Sequence, residues 1–373
     1  MGRFLIYFSY LGNRFSGLQR QPTHIIKGKK IFTIEGALQS ALNALRPANE
    51  FRIVLSSRTD KGVHALKNSC HVDLQYPELG KEYRPDVITH VMNTQLSRQE
   101  QDIRVLETRR VSDDFHSRLR AKGRKYVYRI GHSVWDGSEG DSSDYPGQDG
   151  RHGGPDLIPE LRKFGWKRRG FLYIPLGDKA TALDSHKVKI YRDNVDISKL
   201  IEAAEVLSGI HNFASFSSPP KLDEYNPHPV KLLTIGVKRG QPLAHRLQKN
   251  VQPRWNDLEF WDVHIHARSF LYKMVRRLVS AMVLHAKNKI TLHDLRDILV
   301  NPRNDFPFAG QMSMSEAGLF LQDVEYDAKD LEYHGPLTHP QEGNDDITIP
   351  IGSEFHNTYV DTATYIDTAE GRT

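Results

Sequence analysis

The chain has 373 residues, enough for two domains with a substantial core, and carries 51 Lys and Arg against 46 Asp and Glu, a net charge of +5. So modest an excess is compatible with a nucleic-acid partner without requiring one, and its distribution matters more than its size. The single cysteine excludes an internal disulfide framework and any zinc-finger spacing, and no apolar run is long enough to cross a bilayer.

In chain order, the first segment predicts a strand over residues 3–10. It does not read as a secretory leader or an Arg-rich presequence, and Ile6 stands where a myristoylated Met-Gly start needs Ser or Thr. A loop with Arg14, Gln19, Arg20 and Gln21 follows. Thr33 is the N-cap candidate for a helix with Ile34, Leu38, Leu42 and Leu45 at helical spacing. Residues 51–55 predict a strand, and the string SSRTDKGVHA at 56–65 a loop leaving it. A short strand at 70–74 begins with Cys70, which reads as a buried structural thiol of a reducing compartment. Pro85 opens a helix over 84–96, and 103–111 alternate as a strand. Residues 115–130 hold Arg118, Arg120, Lys122, Arg124, Lys125 and Arg129 with no acid among them, interleaved with Phe115, Tyr126 and Tyr128.

The Gly-, Ser- and Asp-rich residues 136–155 read as a flexible insertion. An amphipathic helix at 197–208, strands at 230–238 and 258–266, and a helix at 269–287 come next. A helix at 291–300 is opened by Thr291-x-x-Asp294, a capping box with Asp in the Glu/Gln place. A last strand at 319–324 precedes an acidic tail, 340–373, that reads as disordered. The antiparallel-type spacing predicts an α+β fold of two similar lobes, 1–114 and 115–330.

Three places offer chemistry. Asp60 lies between Arg58 and Lys61 on a loop held by a strand. Flanking cations would keep such an acid ionised and suit a polyanionic substrate. The same Thr59-Asp-Lys-Gly62 is equally good chemistry for an ordinary turn. The basic stretch 118–129 would neutralise phosphates while its aromatics stack on an unpaired base. Alternatively its tyrosines belong to the core; Tyr126 and Tyr128 point the same way, so both do one or the other. In 269–287, Leu271, Val275, Leu278 and Met282 form a core stripe. Lys273, Arg276 and Ser280 lie on another face, where a cation would pair with Asp60, hold a phosphate or be solvated.

The string Arg58-Thr-Asp-Lys-Gly-Val-His-Ala65 closely resembles the catalytic loop of the TruA family of tRNA pseudouridine synthases. Further segments match in the family's order between about residues 4 and 325. Arg124–Tyr128 resembles its R-x-Y-x-Y strand, Gly209–Phe216 its G-x-H-D-F-x-x-F, Arg268–Arg277 its F-L-x-x-M-V-R, and Gly318–Leu321 its closing G-L-x-L. The style is most similar to the animal branch of the family.

The resemblance implies the pseudouridine synthase fold: two RNP-like lobes sharing a mainly antiparallel sheet, with a central basic cleft. It implies isomerisation of uridine in RNA, expected in the tRNA anticodon arm, by a catalytic Asp60. That residue would add to the ring, attack C1′ or abstract the C2′ proton, three roles left open. Arg276 would face Asp60, Tyr126 would stack on the extruded uracil, Arg58 would fill the vacated space and Leu319 would line the uracil pocket. Lys61, Arg118, Arg124, Lys125 and Lys273 are the remaining candidates for RNA contact.

No cofactor or metal is implied. The expected partners are tRNA or another structured RNA and a second copy of the chain, without a membrane. The compartment is mitochondrial by branch, with cytoplasm or nucleus as alternatives. The rival reading is an RNA-binding or chaperone protein that keeps the scaffold without turnover. The chain departs from the family pattern where Tyr10–Gln19 lacks an Asp and a Trp, and where Ser315 replaces a proline.

Overall fold

A computed structural model describes residues 1–20, 25–26, 29–30, 32–133, 188–191, 195–217, 229–241, 258–303, 305–309, 315–333 and 335. The insertion at 136–155 and the tail at 340–373 lie outside the described residues. Elements run β1 (Gly2–Tyr10), β2 (Ile25–Ile26), β3 (Lys29–Lys30), α1 (Ile34–Asn43), β4 (Val54–Leu55), β5 (His64–Leu74), α2 (Pro85–Arg98), β6 (Ile103–Val111) and β7 (Gly123–Ser133). They continue with β8 (Lys189–Tyr191), α3 (Ile197–Leu207), β9 (Gly209–Asn212), β10 (Val230–Arg239), β11 (Leu258–Ala267), α4 (Met274–Ala286), α5 (Leu292–Val300) and β12 (Leu319–Glu325).

One ten-stranded sheet organises the molecule, in the order β6-β1-β5-β12-β7-β11-β10-β9, with β4 added on β5 and β8 on β7. Its pairings are antiparallel except β5 with β12 and β7 with β8. This is the expected mixed fold with a large, mostly antiparallel sheet. Alternation explains why β1 is apolar from Phe4 to Phe8. Phe4, Ile6 and Phe8 enter the main core, while Leu5 and Tyr7 join Val111 and Phe115 on the opposite face.

The helices begin where their caps dictate. The Thr33 hydroxyl accepts from the Gly36 amide at 3.2 Å, and Pro85 occupies the first turn of α2. The Asp294 carboxylate accepts from the Thr291 amide at 2.7 Å, completing the capping box despite its shorter side chain.

Three expected elements differ in extent. Of residues 51–55, only Val54 and Leu55 pair with β5. β5 starts at His64, six residues before the strand expected at 70–74. Its register against β1 shifts between Phe8 and Tyr10, a bulge that breaks the alternation around Leu66 and Lys67. The helix expected from 269 starts at Met274, because Lys273 takes the left-handed conformation, φ +61°. Of the face expected to be polar, Lys273 and Arg276 are half-buried and Ser280 is buried; the adjacent Arg277 is buried too, its guanidinium 5.3 Å from the Phe306 ring centre. Arg276 alone of the α4 residues is not buried.

Gly12 fixes how the chain after β1 meets the loop before β5. A Cβ there would lie 2.1 Å from the Val63 carbonyl oxygen and 2.7 Å from its carbon, both backbone. Gly12→Ala therefore forces main-chain displacement beside Asp60. We expect a loss of about 3 kcal/mol or more in urea unfolding, with soluble yield reduced. Unchanged stability would mean that this loop yields freely. Among the described residues, no helix is long and apolar enough to cross a membrane, and no group of three or more His, Cys, Asp or Glu is gathered for a metal ion.

Candidate active site

The loop carrying Asp60 is stitched to β5 by buried polar side chains. The Ser56 amide and hydroxyl both donate to the Ser69 carbonyl, at 3.0 and 2.9 Å. Asn68, fully buried, accepts from the Ser56 hydroxyl at 3.1 Å and donates to the Ser57 carbonyl at 3.1 Å. The Tyr10 and Thr59 hydroxyls share a 2.7 Å hydrogen bond. A turn closed from the Val63 amide to the Asp60 carbonyl, 3.2 Å, then delivers the chain into β5. Gly62 supplies the turn's positive φ, +81°. These hydrogen bonds, the Ser56–Asn68 and Ser56–Ser69 ones buried, hold the loop against β5 and β1.

Asp60 faces α4. Its Oδ2 lies 3.7 Å from Arg276 Nη1, with side chains 26% and 17% exposed. The other arm of the same guanidinium donates to Glu316 Oε2 at 3.2 Å. One cation thus serves two carboxylates, and the shorter contact goes to Glu316.

Burial raises the Asp60 carboxyl above its ordinary value. Arg276 and then Lys273 pull it back, while Glu316 pushes it further up. This corrects the sequence expectation: the opposing charges come from α4 and the residue before it, not from the flanking Arg58 and Lys61, and burial outweighs them.

Tyr126 in β7 is buried, 7% exposed, its ring edge-to-face with Phe270 at 5.1 Å. Burial raises its phenol, a hydrogen bond with Ser57 lowers it, and the Asp60 charge raises it. Tyr128 is buried as well, so both tyrosines of the pair are interior. Its hydroxyl donates to the Ser315 carbonyl at 2.9 Å. Leu319, 4% exposed, opens β12 opposite Tyr128, and Leu321 lies opposite Tyr126.

The structure therefore brings Arg276, Lys273 and Tyr126 each within electrostatic range of Asp60. Arg58, Lys61 and Arg118 are exposed. Arg124 and Lys125 are placed differently from the expectation that they face RNA. Arg124 is buried and its guanidinium donates to the Ser56, Arg118 and Arg268 carbonyls. Lys125, its neighbour on the other face of the sheet, pairs with Glu325, which also meets His266 at 2.7 Å.

Two contributors were not read from sequence. Asn68 looks like one polar residue in a strand. Glu316 precedes the Gly318-Leu319 segment by two residues in a turn, where no periodicity marks it; an acid beside a matched motif was the only signal.

Comparison with known proteins finds relatives among the tRNA pseudouridine synthases. The family model described as tRNA pseudouridine synthase matches residues 203–327. A tRNA pseudouridine synthase-like 1 of Xenopus laevis is 31% identical over 329 residues, covering 88% of this chain and 93% of the relative. The Homo sapiens protein of the same name is 29% identical, covering 87% and 90%. A tRNA pseudouridine synthase A of Leuconostoc citreum is 25% identical, covering 87% and 98%.

Proposed function

The chain belongs to the tRNA pseudouridine synthase family, isomerases that act on tRNA, and on that premise we propose that Asp60 is its catalytic carboxylate. The observation that carries the reading is the Asp60–Arg276 pair, 3.7 Å, on a loop anchored to β5 through the buried Ser56 and Asn68. The reaction breaks the uridine N1–C1′ bond and joins C5 to C1′. The C5 proton leaves to solvent and N1 gains one, so no electrons are exchanged and no cofactor is called for. Arg276 orients Asp60 and offsets its burial, a role suited to a planar, permanently charged group. Tyr126 stacks on the extruded uracil, Leu319 lines its pocket, and Arg58 fills the vacated stack.

In this reading the chain forms two lobes, 1–114 and 115–330, meeting along β5 and β12. Arg58, Lys61, Arg118 and Lys273 border a basic cleft between them. Arg124 acts as a brace beneath that cleft, and Lys125 lies outside it. The target uridines lie in the anticodon arm, and the working unit is a mitochondrial homodimer. The resemblance supports these assignments. Reverse-transcription mapping, light scattering and cell fractionation test them in turn.

The primary test is release of tritium from tRNA transcripts labelled at uridine C5. Stoichiometric release without added cofactor is expected. Tight binding of the same transcripts with no release would instead favour the RNA chaperone.

Glu316 yields a separate prediction. Its charge raises Asp60 and draws Arg276 away from it, so Glu316→Gln should let Arg276 close on Asp60 and lower that carboxyl. With ionised Asp60 as the active form, the acid limb of kcat/KM moves to lower pH. Movement to higher pH would mean that Glu316 supports ionisation of Asp60.

A further inference from the structure

The basic stretch 115–130 divides into two populations. Arg120 meets Asp114 at 2.8 Å and Asp330 at 3.4 Å, Lys122 meets Asp327 at 3.3 Å, Lys125 meets Glu325, and Arg129 meets Asp262 at 3.1 Å. Those charges are neutralised within the protein. Arg118 and Arg124 belong to another group, assembled where β7 and β11 leave the sheet.

Arg124 lies opposite Ala267, the last residue of β11. Its guanidinium donates to the Arg268 carbonyl at 2.6 Å and to the Arg118 carbonyl at 3.3 Å. One buried cation thus ties together the two backbone segments from which the exposed side chains of Arg118 and Arg268 project. Lys231, in β10, reaches the same place: its Nζ donates to the Ser269 hydroxyl at 3.0 Å. The same Arg124 guanidinium donates to the Ser56 carbonyl at 2.9 Å, so the group is braced to the loop that carries Asp60.

The charges repel one another. Burial lowers the Arg124 guanidinium, with Arg118 and Arg268 lowering it further against Tyr326 and Tyr126. Burial, then Arg268, lowers the Lys231 ammonium. Among the described residues, no carboxylate is a leading contributor to the charge acting on either group. Cations gathered without an acid raise the energy of the free protein and are relieved when a multiply charged anion binds.

We infer that Arg118, Lys231 and Arg268 form a phosphate seat for the sugar-phosphate backbone of the RNA, held in shape by the buried Arg124. This rests on the reading of the chain as an enzyme of RNA. Arginine at two of the three corners suits bidentate phosphate contact, and the shared brace fixes the backbone relative to Asp60.

The test is filter binding of unmodified tRNA transcripts across a range of KCl, comparing the wild type, the double variant Lys231→Ala/Arg268→Ala, and Lys238→Ala, an exposed lysine farther along β10. Each lost phosphate contact removes about 0.7 to 0.9 from the slope of log K against log salt. The double variant should therefore lose about 1.4 to 1.8 in slope and bind at least about tenfold more weakly at low salt. Arg268→Lys, in which the charge remains, should recover most of its share, and Lys238→Ala should match the wild type. A double variant with wild-type slope and affinity, tested against a wild type that binds, overturns the seat alone. A wild type without salt-dependent tRNA binding overturns the RNA reading and the seat with it.

Discussion

Asp60→Asn should abolish tritium release while leaving the fold at least as stable as the wild type at neutral pH. Removing a positioned carboxylate that acts in the reaction is expected to lower kcat by about 10³-fold or more. The stability half follows from burial. The folded carboxyl is raised above its unfolded value, so its contribution to stability is fully present below the unfolded pKa and is lost as pH rises through the folded pKa. At pH 7 the wild type bears that loss, and the amide, being neutral, does not. Arg276 is not stranded by the change, since Glu316 still receives it at 3.2 Å. Thermal melts of both proteins should show the variant level or ahead at pH 7, with the difference shrinking as pH falls to about 4, the ordinary carboxylate range. Loss of activity accompanied by a drop of several degrees at pH 7 would point to a structural carboxylate.

Removing the shared cation should do the second-largest damage. Arg276→Met leaves Asp60 and Glu316 facing each other without the guanidinium that served both. Two carboxylates in one partly buried site resist joint ionisation, so the Asp60 carboxyl rises further. We expect kcat about 10²-fold or more below wild type at pH 7, with the acid limb of the rate profile moved to higher pH. Arg276→Lys restores charge but not the fork that reaches both acids, and should recover activity only in part. A profile whose shape is unchanged by either substitution, with only KM altered, would reassign Arg276 to holding RNA.

What the sequence made legible was set by how local each signal was. Thr33, Pro85 and Thr291 mark helix starts through their own backbones, and those starts are where they were expected. β1, β6 and β10–β12 alternate or run apolar and were read nearly to the residue. β5 was half missed because Lys67, Asn68 and Ser69 are polar yet covered or half-covered, and a bulge breaks the two-residue period between Ala65 and Cys70. α4 reads as amphipathic through Lys273, Arg276 and Ser280, yet Ser280 is buried, and so is Arg277, whose guanidinium lies beside Phe306, distant in sequence.

At the site, the residues offer a cation of the 273–280 face as one candidate partner of Asp60, and the family resemblance singles out Arg276. Glu316 was not legible, since its role depends on a guanidinium that approaches through space. Arg124 and Lys125 show the same limit in miniature. Adjacent residues in a strand point to opposite faces, and nothing local says which of two neighbouring cations is interior.

The position of β12 bears on how such a chain is made. The last described strand in sequence occupies the middle of the sheet, where Phe320 pairs with His64 on one side and Val127 on the other. Until the ribosome has released Leu319–Glu325, β5 and β7 are open edges inviting other strands, and the strand that follows Glu316, the second acid on Arg276, is not yet docked. Closure at such sequence separation is slow, so the nascent chain passes through an aggregation-prone interval that ends only with β12. A nonsense mutation anywhere before Leu319 should therefore yield an insoluble product rather than a weakened enzyme.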